Sequence, residues 1–543
     1  MKLYKLVLAT LAGASMVACS DIDSVVLEGG TMLASQVQET NVIAPSRAAA
    51  SFSGMFTSIG EPVKMYDTPD DWGFLMIMFC NDLEGADAII ADSGYNWFSV
   101  CGEMSSRNAD YRNPYIRYRA PYNLIANVNT FLQSFPDDVE DPSSINMIAQ
   151  SKALRAFAYM NLLPYYQFNY QIAADKPCVP MVTESFPEDF TNNPRATVKE
   201  LYELVLSDLD YAVDKLEGST RTTAMYIDGH VAHGLRARVY LAMGEWAKAL
   251  ADAQAAADGF TPASIAEVSV PSFKDISEHN WIWGYDMTSE LPQKGGNSLY
   301  ATTSSWLRSF SANAYAPACQ CYTCINTMLY RKISDTDVRK GWWVDENLES
   351  PLLDGLKWPG FDDVANADDG GDAKLPFLPY TNVKFGCNSV GTVNNDEDMP
   401  LMRVEEMILI QAECQAHLGQ TDQAVATLSN FVKTNRDPEY GVNDRNLSLL
   451  DEIWFQRRVE LWGEGFYVSD MRRLNKPLVR FLGTPESTNI ADAFRFNMSA
   501  DDPWNLLRFP QGEMNTNFGI QDNQGGNQPT PGQNPDLRDG VTD

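Results

Sequence analysis

The stretch 237–253, ARVYLAMGEWAKALADA, reads as two helices meeting at a glycine. Apolar residues lead up to Gly244 at helical spacing, and Trp246 opens a second run in which Ala249, Ala253 and Ala256 return every three or four positions. Small side chains on one face let another helix approach closely. The pattern predicts an antiparallel hairpin with helices over 231–243 and 246–258. The same design returns at 405–418, Gly419 and 421–432, where Gly419 matches Gly244 and Ala424 matches Ala249 at an offset of 175 residues.

Working outward, other segments carry the same period. Asp141-Pro142 starts a helix, and 149–166 stays helical until Pro164. Thr197-Val-Lys-Glu200 is a capping box. It opens a helix whose apolar positions Val198, Leu201, Val205, Leu209, Val213 and Leu216 run to Gly218. Between Pro114 and Leu132, Tyr115, Tyr118, Tyr122, Ile125 and Val128 form a stripe expected to face the core. From 264 to about 395 the helical period fades into Asn, Asp, Gly, Pro and aromatics. There Trp281, Trp283 and Tyr285 alternate as in a short strand and are expected to pack in the core. The fold class expected is mostly α: helical hairpins in a single large domain over 51–523, with a loop-rich insertion at about 264–395. Residues 524–543, rich in Pro, Gly and Asn, are read as a disordered tail.

Leu447–Arg473, LSLLDEIWFQRRVELWGEGFYVSDMRR, is the most densely charged piece. Arg457 and Glu460 can meet across one turn, whereas Glu460 and Glu464 would repel unless an arginine sits between them. Carboxylates this close to four arginines are expected to stay ionised as structural ties and not to shuttle protons.

The chain of 543 residues carries 41 basic and 72 acidic side chains, a net charge of −31, which disfavours nucleic acid and other polyanions as partners. Lys2 and Lys5 precede an apolar run, Leu6–Ala18, too short to span a bilayer, so 1–18 reads as a secretory signal. It ends at Met16-Val17-Ala18-Cys19, which resembles a bacterial lipobox. On that resemblance Cys19 is the first mature residue and carries lipid on its sulfur and amine, and 19–50 is a tether and lead-in segment. Cys319, Cys321 and Cys324 form a cluster without a nearby histidine, read as a loop disulfide or free thiols ahead of zinc. His230 and His233 lack the context of a zinc hydrolase and are read as packing or surface residues.

With the pieces assembled, the hairpins resemble tetratricopeptide pairs without a continuous 34-residue period. The chain as a whole resembles the SusD/RagB family of outer-membrane lipoproteins of Bacteroidetes-type bacteria. The resemblance rests on Cys19, SKALRAFAYMNLLPYY at 151–166, the helix at 197–216, the stretch 237–253, MRVEEMILIQAECQAHLG at 402–419, Leu447–Arg473, and Pro510-Gln-Gly-Glu513 with Asn517 and Gln521. It departs at Gln456, where the family usually has an acid, and at Phe466-Tyr467, where it usually has histidine and arginine. The resemblance implies a non-catalytic, surface-exposed glycan-binding lipoprotein that caps a TonB-dependent SusC-like transporter. It also allows for peptide ligands of the RagB type.

Sugar rings lie flat on aromatic faces while their hydroxyls seek convergent polar groups. Loop-borne aromatics beside Asn or Arg are therefore the candidates: Tyr95, Asn96 and Trp97 in the turn-rich loop 91–98, then Tyr300, Trp306 with Arg308, and Tyr315. Trp342-Trp343 can be core or rim. The acidic loop 362–372 is read as solvated, with calcium as the alternative. No cofactor is expected. Two other classes stay open: a secreted helical glycoside hydrolase, which needs two carboxylates flanking a cleft, and an adaptor that binds only proteins. No nucleophile elbow, phosphate loop or dinucleotide fingerprint is visible.

Overall fold

Helices, laid side by side in a row, carry the structure. The computed structural model describes residues 34–60, 70–71, 73–90, 98–110, 112–187, 189–287, 309–310, 322–354, 377–388 and 396–543. The principal helices are α1 (Gly73–Leu83), α2 (Arg112–Gln133), α3 (Pro142–Met160), α4 (Val198–Leu216), α5 (Gly229–Met243), α6 (Trp246–Ala257), α7 (Val404–His417), α8 (Thr421–Asn435), α9 (Leu449–Glu460) and α10 (Tyr467–Arg473). From α2 to α8 each packs on the next in chain order.

Both expected hairpins form, and they stack on each other. Gly244 (φ 76°) and Gly419 (φ 74°) end α5 and α7 in the left-handed conformation that glycine adopts without strain. Ala249, Ala253 and Ala424 are fully buried at the crossings. Helix α6 meets α7 although 146 residues separate them, with Trp246 stacked on His417 at 3.8 Å and Gln411 Nε2 donating to the Ala253 carbonyl at 3.3 Å. The capping box at Thr197 and Glu200 is present, the Glu200 carboxylate accepting from the Thr197 amide at 2.8 Å.

Three two-stranded antiparallel ladders decorate the row: β1 (Ala88–Ile90) with β5 (Thr323–Ile325), β2 (Pro177–Pro180) with β3 (Arg195–Thr197), and β4 (Trp281–Tyr285) with β6 (Met399–Arg403). Trp281, Trp283 and Tyr285 are core residues as expected, Trp283 Nε1 donating to the Met225 carbonyl at 2.8 Å. Trp342 and Trp343 are fully buried, so they belong to the core and not to a rim. Among the described residues between 264 and 395 no helix exceeds five residues.

One reading needs correction. Residues 524–543 are not a disordered tail. They run along the surface in irregular conformation and end buried: Asp539 pairs with Arg458 at 2.6 Å, Val541 is fully buried, and Gln533 and Pro535 carbonyls accept from the amides of Asn497 and Gly483. Their Pro-, Gly- and Asn-rich composition removes helical period without removing anchoring contacts. In the lead-in segment, helix Ala34–Ile43 docks on the end of α2, Asn41 Nδ2 donating to the Ser134 carbonyl at 3.0 Å. The lipobox with Cys19 lies outside the described residues.

The charged stretch is a clamp, with partners other than its own neighbours. Glu460 does not pair with Arg457. It accepts from Arg436 (Nε and Nη2, both 2.8 Å), Arg403 (3.1 Å) and Arg339 (3.3 Å). Arg457 instead holds Asp470 at 3.0 Å. Arg403 bridges Glu460 and Glu464 as the spacing required, and Lys384 adds a bond to Glu464 at 2.7 Å. These side chains come from β6, from the residue that follows α8, from α9, and from three further segments at Arg339, Lys384 and Glu464, so one buried charge group ties the second hairpin to the insertion.

Candidate functional site

Trp97, Tyr95, Asn96, Tyr300, Trp306, Arg308 and Tyr315 all lie outside the described residues, as does the acidic loop 362–372. The described residues flanking them meet in one place. Ile90, before the first loop, pairs with Thr323 across the β1–β5 ladder, and the short helix Ser99–Gly102 after that loop touches β1. Ser309, after Arg308, donates its hydroxyl to the Asn382 carbonyl at 2.6 Å, and the Asn382 amide donates to the Thr323 carbonyl at 3.0 Å. The rings of Phe310 and Tyr322 both pack edge-on against Phe377, at 6.3 and 5.6 Å. All three are buried. The ladder and its ring cluster therefore hold together Ile90, Ser309, Phe310, Tyr322 and Phe377, the described residues that flank these segments.

A second feature is visible in full and was missed by sequence reasoning. A cleft of about 470 Å³ lies between the first turns of α2 and the segments 190–193 and 510–517. Tyr115, Tyr118 and Tyr122 step along one wall; Phe190 and Glu513 lie opposite. Tyr118 and Tyr122 pack on the core as the period assigned them while also lining this cleft, whereas Tyr115 is half-buried and departs from the core stripe to face the cleft. Arg119 donates to the Tyr115 hydroxyl at 2.9 Å, and the Tyr122 hydroxyl donates to the Pro180 carbonyl at 2.5 Å. Burial pushes the Tyr118 and Tyr122 hydroxyls well above the ordinary tyrosine value, so both remain protonated near neutral pH. Opposite them Asn517 accepts from the Asn193 amide at 2.9 Å and donates to Glu513 at 3.0 Å. At the rim Phe190 and Phe518 are 55% and 77% exposed, and Met181 is exposed beside the lining residues Pro180 and Val182. The available signal was chemical: tyrosines, not leucines, fill three successive positions of the stripe. Polar hydroxyls on an apolar face mark a wall that is partly wet.

Acid–base machinery is not what these groups resemble. Burial on its own would raise the carboxyls of Glu460 and Glu464, but Arg436 and Arg403 outweigh it at the first, Arg403 and Lys384 at the second, so both are held below the usual range. Cys324 is free and buried, and Cys319 and Cys321 lie outside the described residues. His233 is tied to Asp252 at 2.7 Å, and His230 Nδ1 lies 3.2 Å from the Ala255 carbonyl; both are packing residues.

The structure is thus a row of helical hairpins with an irregular flank, and Glu460 and Glu464 are held in ion groups that tie the two together. A family model described as the SusD family matches residues 377–525, and another, described as starch-binding associating with outer membrane, matches residues 59–241. The two segments together span more than half of the chain, and the chain belongs to the SusD/RagB family. No curated protein matches it. Among solved structures it is similar to a SusD-like carbohydrate binding protein from Bacteroides vulgatus, with 22% identity, TM-score 0.69 and coverage of 88% of this chain and 97% of that one. A putative sugar binding protein from the same species has 20% identity, TM-score 0.68 and coverage of 89% and 98%. Surface glycan-binding protein A from Bacteroides thetaiotaomicron, solved in complex with laminarihexaose, has 14% identity, TM-score 0.64 and coverage of 88% and 99%. At these identities the likeness is one of fold.

Proposed function

We propose that this protein is a lipid-anchored, outer-membrane glycan-binding protein that captures oligosaccharides at the cell exterior and delivers them to a TonB-dependent SusC-like transporter. Cys19 carries the anchor, and Trp97, Tyr95, Asn96, Tyr300, Trp306, Arg308 and Tyr315 contact the sugar. The observation that carries this reading is where the flanks meet: the described residues on either side of these segments are held together by the β1–β5 ladder and its ring cluster. Aromatics on segments whose flanks meet in one place can present several faces to one chain of sugar rings. The family and the laminarihexaose complex of a relative support the same ligand class.

The tyrosine cleft favours a further sugar-contacting surface on the same protein. Its half-buried Tyr115 and exposed Phe190 offer ring faces, and Arg119, Glu513 and Asn517 offer polar partners within one concavity. Incubating purified protein with a panel of oligosaccharides tests the proposal. Binding without new reducing ends is expected. Release of sugar ends the non-catalytic reading, and silence on every glycan shifts the ligand class to peptides.

A further inference from the structure

Two free cysteines lie side by side, Cys80 in the last turn of α1 and Cys101 in the short helix Ser99–Gly102. Their thiols hydrogen-bond to each other, and Asn113 Nδ2 donates to Cys80 Sγ at 3.4 Å. The two helices touch, and the rings of Phe79 and Phe98 beside the thiols pack edge-on at 5.0 Å. One guanidinium holds the backbone on both sides. Arg480 donates to the Gly85 carbonyl just after α1 at 2.9 Å and to the Gly102 carbonyl at 2.5 Å. Both cysteines are buried, at 1% and 0% exposure.

A single buried cysteine is ordinarily a small packing residue. Here two of them, 21 positions apart in the chain, are brought into contact by groups that fix both backbones. A disulfide needs two cysteines already this close, because it tolerates little backbone movement. The two thiols also differ. Contact with Cys101 holds the Cys80 thiol below its ordinary value against burial, with help from Arg117 and Asn113. The same contact, together with burial, pushes Cys101 well above. Cys80 is therefore the one that supplies a thiolate.

We propose that Cys80 and Cys101 become joined by a disulfide in the exported protein. Export itself rests on the secretory reading of residues 1–18, and it delivers the chain to a compartment where disulfides persist. The exchange takes place as the chain folds, before α1 and the short helix close over the pair. Cys101 first exchanges with an oxidant that carries a disulfide, releasing one of its sulfurs as a thiol. The Cys80 thiolate then attacks the Cys101 sulfur, the new S–S bond forms, and the second oxidant sulfur leaves as a thiol. The pair loses two electrons and two protons, and the oxidant gains them. The bond encloses the segment 91–98, with Tyr95, Asn96 and Trp97, and fastens its flank at Phe98–Gly102 to α1. Burial then shields it from reductants.

The test uses the full chain, expressed with residues 1–18, isolated from cell envelopes and denatured in excess N-ethylmaleimide without reductant. Cleavage after Lys64, Glu84 and Glu103 yields peptides 65–84 and 85–103, which hold Cys80 and Cys101 and no other cysteine. Mass spectrometry is expected to find the two peptides joined, lighter than their sum by two hydrogen atoms, and separated by dithiothreitol. Reductant is expected to lower the melting temperature of wild type by a few degrees, and that of Cys101→Ala by less, because the closed loop stabilises the folded chain. The proposal is overturned if both peptides from the isolated protein carry N-ethylmaleimide and none are joined, or if reductant shifts the variant as much as wild type. The peptide mapping needs no variant, so it stands if Cys101→Ala does not fold. Refolding the reduced chain in a glutathione redox buffer separates the causes of a failure. Joined peptides there trace it to the export reading, and unjoined ones to the pair itself. Sugar binding does not enter the readout, so the ligand reading can fail separately.

Discussion

Arg403 sits between Glu460 and Glu464 and turns two repelling carboxylates into one shared ion group. All three side chains are within 3% of complete burial, so salt does not screen them and each depends on the others. Glu460→Gln keeps the shape but removes the charge that Arg436, Arg403 and Arg339 surround. It is expected to cost about 3–5 kcal/mol in chemical denaturation, because it leaves buried arginines uncompensated. Double variants of Glu460 with Arg436 should be far from additive. The sequence showed that acids and arginines were crowded here, and the need for a bridging arginine followed from spacing alone. It could not show that the bridge was Arg403, 57 positions away, or that Arg457 would turn to Asp470. Pairing across distant elements is set by packing, which no local period encodes.

Helices and hairpins were the most legible features. Capping at Thr197, glycine stops at 244 and 419, and alanines at the crossings are local signals with local causes, and each formed as expected. The stacking of α6 on α7 was not legible, since the long insertion separates the hairpins in the chain. Ala253 lies fully buried at that contact. Ala253→Leu should overpack it and lower stability by about 1–3 kcal/mol, while Ala251→Leu, on the exposed face of α6, should change it by less than about 0.5 kcal/mol. Equal effects at the two positions would contradict a close helix crossing. Of the α2 stripe only Tyr115 left the core, because period reports which residues share a face, not where along the helix that face stays dry.

Across the whole molecule, acid titration should act in two opposing directions. Glu460, Glu464, Asp470 and Glu84 are buried, which alone would raise them, yet nearby arginines (with Lys384 at Glu464) hold them below their usual range. Their contribution is full above their unfolded values, about 4–4.5, and is lost as pH falls through the depressed folded ones. Asp82 and Asp398 are pushed up by burial, to about 7 and about 6. The folded state then binds more protons than the unfolded one between about 4 and those values, so stability declines as pH rises through that window. Melting temperature should peak in mildly acidic solution, near pH 5, fall steeply below about 4 and decline gently towards pH 7; a monotonic rise to neutral pH would contradict it. The sugar-contacting residues are proposed from aromatics in stretches without helical period; how such stretches arrange their side chains is decided by tertiary packing, and the described structure shows only the residues that flank them. The most direct test of the central claim is calorimetric titration of an oligosaccharide that binds wild type into Trp97→Ala, Trp306→Ala and Tyr115→Ala. The account predicts at least about tenfold weaker binding, or about 1.4 kcal/mol, in one or both tryptophan variants. Wild-type affinity in both would contradict it, and a loss confined to Tyr115→Ala would move the site to the tyrosine cleft.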